Sequence, residues 1–242
     1  MSGAEPSHWF EPLADHLGGA YLRYSFTKGT AQEVGFLYDV LALRPGDRLL
    51  DVGCGPGRHA HAFAAREVEV IGIDIAQRFI DLATANAPPN GRARFERRDA
   101  RVLSFDAEFD AAISLCQGAF GLVGPGEDED VLAGIARALK PAGRFAISAF
   151  SSYFQVRYPQ SAGEFDVDTG VHHERTVIKD EAGTDADADL WTTCYTPREL
   201  RLLTDRAGLV VDAVWSVTPG AYARTPATIE SPELLVVGRR KG

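Results

Sequence analysis

The chain has 242 residues, 45% of them apolar, which suits one large α/β domain with a sizeable core and is cramped for two independent ones. A formal net charge of −9 argues against an extended nucleic-acid interface, because phosphate binding draws on clustered lysine and arginine. The cysteines Cys54, Cys116 and Cys194 lie far apart, form no Cys-x-x-Cys pair and leave an odd count, so neither a disulfide framework nor a structural metal is expected, and a reducing cytoplasm fits best.

The first residues carry neither a basic n-region nor an apolar h-region, and no later run approaches the roughly 20 apolar residues that span a bilayer, so a soluble, unsecreted chain is expected. Trp9, Phe10, Leu13, Leu17 and Tyr21 form an apolar leader in which Pro12 is placed to open a helix. Thr30-Ala31-Gln32-Glu33 reads as the capping box of a helix over 30–43, ahead of the turn Arg44-Pro45-Gly46-Asp47. From residue 48 onward, strands predicted at 48–53, 69–74, 93–99, 109–115 and 144–149 alternate with helices at 58–66, 77–87 and 128–139. Pro88-Pro89 stops the second helix, and Lys140-Pro141-Ala142-Gly143 forms a turn after the third. This alternation predicts βαβ units and a parallel sheet.

After residue 149 the rhythm changes. Segments 171–178 and 185–195 flank a polar turn and predict an inserted β-hairpin. Thr196 can cap and Pro197 can open a helix over 197–207 that Gly208 stops, and strands at 209–217 and 233–238 follow. The expected organisation is one domain over 1–242, with an N-terminal lid at 1–34, a core at 35–150, an inserted hairpin lid at 151–195 and the remainder of the core at 196–242.

The loop Asp51-Val52-Gly53-Cys54-Gly55-Pro56-Gly57 joins a strand to a helix, where glycines let the backbone approach a ligand at the helix N-terminus. Its glycines fall as Gly-x-Gly-x-Gly. The dinucleotide fingerprint Gly-x-Gly-x-x-Gly would need glycine where Arg58 stands, which opposes a nucleotide-binding dehydrogenase. The second strand ends on Asp74, 23 positions after Asp51 (74 − 51) and placed to accept from ribose hydroxyls, and the third ends on Asp99, placed to accept from an adenine amine.

With Asp74, Arg98-Asp99-Ala100, the segment from Phe109 to Ser114, Leu139-Lys140-Pro141-Ala142-Gly143-Arg144 and Tyr195-Thr196-Pro197-Arg198-Glu199-Leu200, the loop closely resembles the class I S-adenosylmethionine-dependent methyltransferases of small-molecule type. The resemblance runs from about Gly35 to the end; Ala142 departs from it, where the family usually shows glycine. It implies a doubly wound, mostly parallel seven-stranded sheet with the last strand antiparallel. It also implies S-adenosylmethionine as cofactor, S-adenosylhomocysteine as its product, and a small-molecule partner. Gly53 and Gly55, with Cys54 and Gly57, would lie against the methionine part, Asp51 would orient the loop, Asp74 and Ile75 would hold the ribose, Asp99 and Ala100 the adenine, and Ser114 and Leu115 the sulfonium side. Tyr24 of the leader would cover the cofactor.

Methyl transfer from a sulfonium needs alignment more than a protein nucleophile, and a general base only for an acceptor protonated at neutral pH. Gln117 and Phe120 are candidate acceptor contacts, Phe120 equally a core residue. His59, Gln117 and His172 are candidate proton acceptors. His59 also reads as a packing residue, and strand alternation sends His172 and His173 to opposite faces. N-, O- and C-methylation all stay open, as does a protein that binds S-adenosylmethionine for sensing or for another reaction. The sequence gives no oligomeric state; a dimer stays open.

Overall fold

The computed structural model describes residues 8–116, 118–124, 126–159 and 163–242. A short helix, α1 (Phe10–Leu17), opens the described chain with Pro12 in its first turn, where a missing N–H leaves no hydrogen bond unmade. Then α2 (Thr30–Val40) leads into alternating elements: β1 (Arg48–Val52), α3 (Arg58–Ala64), β2 (Glu69–Asp74), α4 (Gln77–Ala85), β3 (Ala93–Arg97), β4 (Phe109–Ser114), α5 (Asp128–Ala138) and β5 (Leu139–Ser151). After them come α6 (Ser152–Arg157), β6 (Gly163–Asp166), β7 (Val171–Lys179), β8 (Asp185–Tyr195), α7 (Pro197–Arg206), β9 (Leu209–Val217), β10 (Thr225–Pro226) and β11 (Glu233–Arg240).

The main sheet has the order β10-β9-β11-β5-β4-β1-β2-β3. Strands β1 to β5 pair in parallel, while β11 runs antiparallel to both β5 and β9. Leaving aside the two-residue β10 at the edge, this is the expected seven-stranded, doubly wound sheet with its last strand antiparallel. The winding reverses between β1 and β4, and open α/β sheets bind ligands beyond the carboxyl ends of the strands at such a point.

Both faces of the sheet are covered, so its strands read as near-continuous apolar runs. Neighbouring residues fall into opposite layers. Leu50 and Leu234 pack with Phe109, Leu132, Ile135 and Phe145 under α5 and α7, while Leu49 and Leu235 pack with Leu37, Phe63 and Val70 under α2 and α3.

Three local expectations are corrected. The N-cap of α2 is Gly29, and no capping box forms at Thr30: its hydroxyl donates to the Thr27 carbonyl at 2.9 Å, and Glu33 is drawn into a buried ion cluster. A box does form on α7, where Thr196 Oγ1 accepts from the Glu199 N–H and Glu199 accepts from the Thr196 N–H. The turn predicted between α5 and β5 is absorbed into β5, which pairs with β4 from Leu139 onward; Ala142 there holds φ +63, and the register to β4 shifts between Phe109 and Ala111. Glycine adopts that φ freely and alanine does not, which gives the departure at Ala142 a physical meaning.

The inserted hairpin is also larger than expected. Strand β6 adds to β7, and the end of β8 pairs in parallel with the end of β5, so the insertion extends the main sheet. It meets the leader: Leu13 and Leu17 of α1 pack on Ile178 of β7, and Trp9 meets Trp191 of β8 edge-on at 5.4 Å. Among the described residues no helix is long and apolar enough to cross a membrane.

Candidate cofactor and acceptor site

After β1 the chain turns on Gly53, Gly55 and Gly57, with φ of +72, +53 and +83, before α3 begins at Arg58. These left-handed values suit glycine, and at Gly53 space forbids anything else. A Cβ there would lie 1.9 Å from the carbonyl carbon of Gly118, and one on Gly118 would lie 2.2 Å from the Gly53 carbonyl oxygen. The turns after β1 and β4 therefore touch backbone to backbone at the switch point. Gly118 stands between the candidate acceptor contacts Gln117 and Phe120, in the segment after the fourth strand that the sequence places beside the methyl group, but its backbone contact with Gly53 shows only in three dimensions.

Two carboxyls sit beside this contact. Asp74 closes β2 and accepts the Gly55 N–H at 2.8 Å and the Ala76 N–H at 2.9 Å, one on each oxygen, which leaves each oxygen a further lone pair. Asp51, 2% exposed, has a buried Oδ2 with no hydrogen-bond partner. Burial pushes Asp51 up to about 7, against the Arg58 charge, and pushes Asp74 up to about 6, against its backbone hydrogen bonds. A buried, unpartnered carboxylate oxygen next to glycine backbone fits a ligand that brings hydroxyls and positive charge. S-adenosylmethionine has both.

Asp99 lies nearby but is otherwise engaged. Its Oδ2 and Oδ1 accept from the Arg101 guanidinium at 2.6 and 2.9 Å, and Arg101 reaches on to Glu127 at 3.0 Å. The expected adenine contact thus faces a carboxylate already paired, in a small cavity of about 30 Å³ walled by Phe10, Ile75 and Ala100. A larger cavity of about 340 Å³ opens from Gly53, Gly55 and Asp74 towards Trp9, Tyr21, Tyr24 and Phe26 of the leader and Ile178, Leu190 and Thr192 of the insertion.

Known proteins resemble the chain as follows. Residues 49–143 match a family model described as a methyltransferase domain. The 27-O-demethylrifamycin SV methyltransferase of Amycolatopsis mediterranei is 34% identical over 154 residues, covering 58% of this chain and 55% of that protein. The chain spans about half the length of such curated relatives. Among solved structures, the CcbJ methyltransferase of Streptomyces caelestis superposes with a TM-score of 0.75 at 19% identity over 96% of both chains. CalS10 of Micromonospora echinaspora, an amino pentose methyltransferase solved with S-adenosylmethionine bound, superposes with a TM-score of 0.64 at 20% identity over 100% of both chains. Residues 49–143 thus match a methyltransferase domain, and the chain has the fold of the class I methyltransferases.

Within this fold the other expected residues fall in different places. Ile75 and Ala100 line the small cavity and Tyr24 the large one. Cys54 is buried beneath the loop against Gly72, and Gly57 packs against His61 and Ala83. Ser114 and Leu115 are buried below the site, and the Ser114 hydroxyl has no partner. Phe120 is core rather than acceptor contact, 1% exposed and stacked on Tyr195 at 4.9 Å. Gln117 lies outside the described residues. His172 is buried on β7 but does not line the large cavity, whereas its neighbour across the strands, Thr192, does.

His59 turns away from both cavities. Its Nε2 lies 2.8 Å from Glu33 Oε2, which Arg58 also meets at 2.6 Å, while Glu33 Oε1 accepts the Gly220 N–H at 2.8 Å. Burial lowers His59 to about 4, so the imidazole is neutral and Nε2 carries the donated hydrogen. Although burial alone would raise it, the bonds from His59 and Arg58 lower Glu33 to about 2. Arg58 further reaches the Thr30 hydroxyl and, at 2.9 Å, the Cys116 sulfur, so one cation ties the cofactor loop to the cavity wall.

The sequence motifs also miss Glu233. As the first residue of antiparallel β11 it lands on the carboxyl edge of the sheet, 4% exposed, on the wall of the large cavity. An acid opening the apolar run Leu234-Leu235-Val236-Val237 is the one sequence signal that marks it.

The buried acids set a pH dependence. Asp51 and Glu233 at about 7 and Asp74 and Asp128 at about 6 all lie above their unfolded values near 4, so the folded state holds extra protons in that window. Their contribution is present at low pH and is lost as pH rises towards 7. His59 works the other way, gaining stability as pH rises from about 4 to 6.5, and is complete by then. The net expectation is a melting temperature at pH 8 lower than at pH 5.5 by about 5–10 °C, from a loss of a few kcal/mol. Scanning calorimetry of the ligand-free chain checks this; a flat or rising profile contradicts it.

Proposed function

We propose that the chain transfers a methyl group from S-adenosylmethionine to a small-molecule acceptor. The observation that carries this reading is the buried Asp74 carboxyl, which lines the 340 Å³ aromatic-walled cavity together with Gly53 and Gly118, with a second buried carboxyl, Asp51, two residues before Gly53. When bound, S-adenosylmethionine supplies an electrophilic methyl group on a cationic sulfur. The chain's own residues bind and align. Gly53 and Gly55 offer bare backbone, Asp74 offers its free lone pairs to ribose hydroxyls, and Asp51 faces positive charge. Ile75, Asp99 and Ala100 wall the adenine side, where Arg101 holds the Asp99 carboxylate in place.

The leader from residue 8 to 34 and the hairpin strands β7 and β8 serve as lids that exclude water from the cavity, which their aromatic and aliphatic side chains line. The acceptor is an apolar or amphipathic metabolite, in keeping with relatives named for a rifamycin and an amino pentose. The reaction takes place in the cytoplasm.

Asp74→Ala tests the reading. Loss of charge-assisted hydrogen bonds to the ribose weakens S-adenosylmethionine by about 2 kcal/mol, roughly 30-fold in dissociation constant. Titration calorimetry measures it, with a melting curve to confirm that the variant folds. Unchanged affinity removes Asp74 from the site. Transfer of labelled methyl into a metabolite extract then demonstrates turnover.

A further inference from the structure

The large cavity has one charged group that cofactor binding does not use. Glu233 is 4% exposed, its Oε1 is buried without a hydrogen-bond partner, and no lysine, arginine or histidine approaches it within 4 Å among the described residues. The cavity wall around it is aromatic and aliphatic, with Phe150, Tyr21, Tyr24 and Phe26, and the described lining holds no cationic side chain at all. Glu233 and Asp74 stand on strands four steps apart in the sheet, about 19 Å along its carboxyl edge, so Glu233 lies on the side of β4 away from the cofactor acids.

An unpartnered carboxylate oxygen in such a cavity needs a donor; Ser148 bonds the carboxyl, but among the described residues Oε1 has no donor. Resting on the methyl-transfer reading, we infer that Glu233 selects an acceptor carrying an amine nitrogen, holds that nitrogen in the aromatic cavity and takes a proton from it. An ammonium group satisfies the oxygen with a charge-assisted hydrogen bond and gains further from the faces of the surrounding rings. A hydroxyl or carbon acceptor brings no charge to match.

The proton balance closes. The bound ammonium gives one proton to the Glu233 carboxylate, which frees the nitrogen lone pair. That pair forms the new nitrogen–carbon bond as the carbon–sulfur bond breaks, leaving its electrons on sulfur, and the methylated nitrogen keeps its remaining hydrogens. Glu233 returns its proton to water when product leaves. Burial holds this carboxyl up at about 7, against a hydrogen bond from Ser148 and the charge of Arg58, with Glu33 adding to the rise. A group near neutrality suits that exchange. The other titratable groups coupled to it are Cys116 and Tyr222, both held protonated by burial.

The test compares phenethylamine with its neutral counterpart 2-phenylethanol, each titrated at pH 8 into the chain with and without saturating S-adenosylhomocysteine. The amine is expected to bind at least about tenfold more tightly than the alcohol. E233Q, which keeps the shape and removes the charge, should abolish that preference while leaving alcohol and S-adenosylhomocysteine affinities unchanged. Equal binding of the two probes by the unsubstituted chain, or a preference that survives E233Q, overturns the proposal. A chain that fails to bind S-adenosylhomocysteine contradicts the methyl-transfer reading instead, and the amine preference in its absence still decides the role of Glu233. If E233Q does not fold, the unsubstituted chain gives the same decision: the preference must shrink as pH falls below about 7 and Glu233 protonates, and a flat profile refutes it.

Discussion

Glu33→Ala is expected to lower the unfolding free energy by about 3–5 kcal/mol, the range for removing one partner of a buried ion pair. Glu33 is 0% exposed and accepts from three donors on two parts of the chain: Arg58 and His59 at the start of α3, and the backbone N–H of Gly220. Alanine would leave the Arg58 charge without its carboxylate partner and two N–H groups, of His59 and Gly220, buried without acceptors. Urea denaturation measures the loss, and a value below about 1 kcal/mol would show that the cluster is not stabilising as a unit. Because Arg58 begins α3 directly after the glycine loop, the same variant should also weaken S-adenosylmethionine binding.

Gly53→Ala is expected to abolish measurable S-adenosylmethionine binding, a loss of at least about 100-fold. The added Cβ would fall 1.9 Å from the Gly118 carbonyl carbon while the backbone sits at φ +72, so both turns must separate and the cradle opens. Gly46→Ala is the control. Its φ is +88, but a Cβ there meets nothing within 4 Å, so it should lose about 1 kcal/mol of stability and no affinity. Calorimetry on both variants decides the matter: if Gly53→Ala binds as Gly46→Ala does, the backbone contact does not shape the site.

The sheet was legible where the pattern is local. Strands β2 and β9 appear where alternation of short apolar runs and helices places them, and Pro88-Pro89 ends α4 within two residues of expectation. The glycine loop and Asp74 were legible because their spacing follows from a strand-turn-helix unit.

What was not legible depends on packing. Glu33 stands three residues after a threonine, as a capping box requires, but α2 packs on α3 so that Arg58 and His59 offer it stronger partners than its own backbone. His59 therefore reads as a site candidate in sequence and is an internal ligand of Glu33 in three dimensions. Asp99 and Arg101 are two residues apart, yet only the turn that follows β3 shows that they pair. Phe120 turns inward to stack on Tyr195, and Glu233 reaches the cavity because β11 runs against its neighbours, neither of which the local pattern encodes.

Native mass spectrometry shows whether this site holds S-adenosylmethionine. Purified chain mixed with equal excess of S-adenosylmethionine and nicotinamide adenine dinucleotide should gain the mass of one S-adenosylmethionine, and Gly53→Ala should gain none. An adduct of the dinucleotide, or no adduct at all on the unsubstituted chain, would show that the site does not hold S-adenosylmethionine.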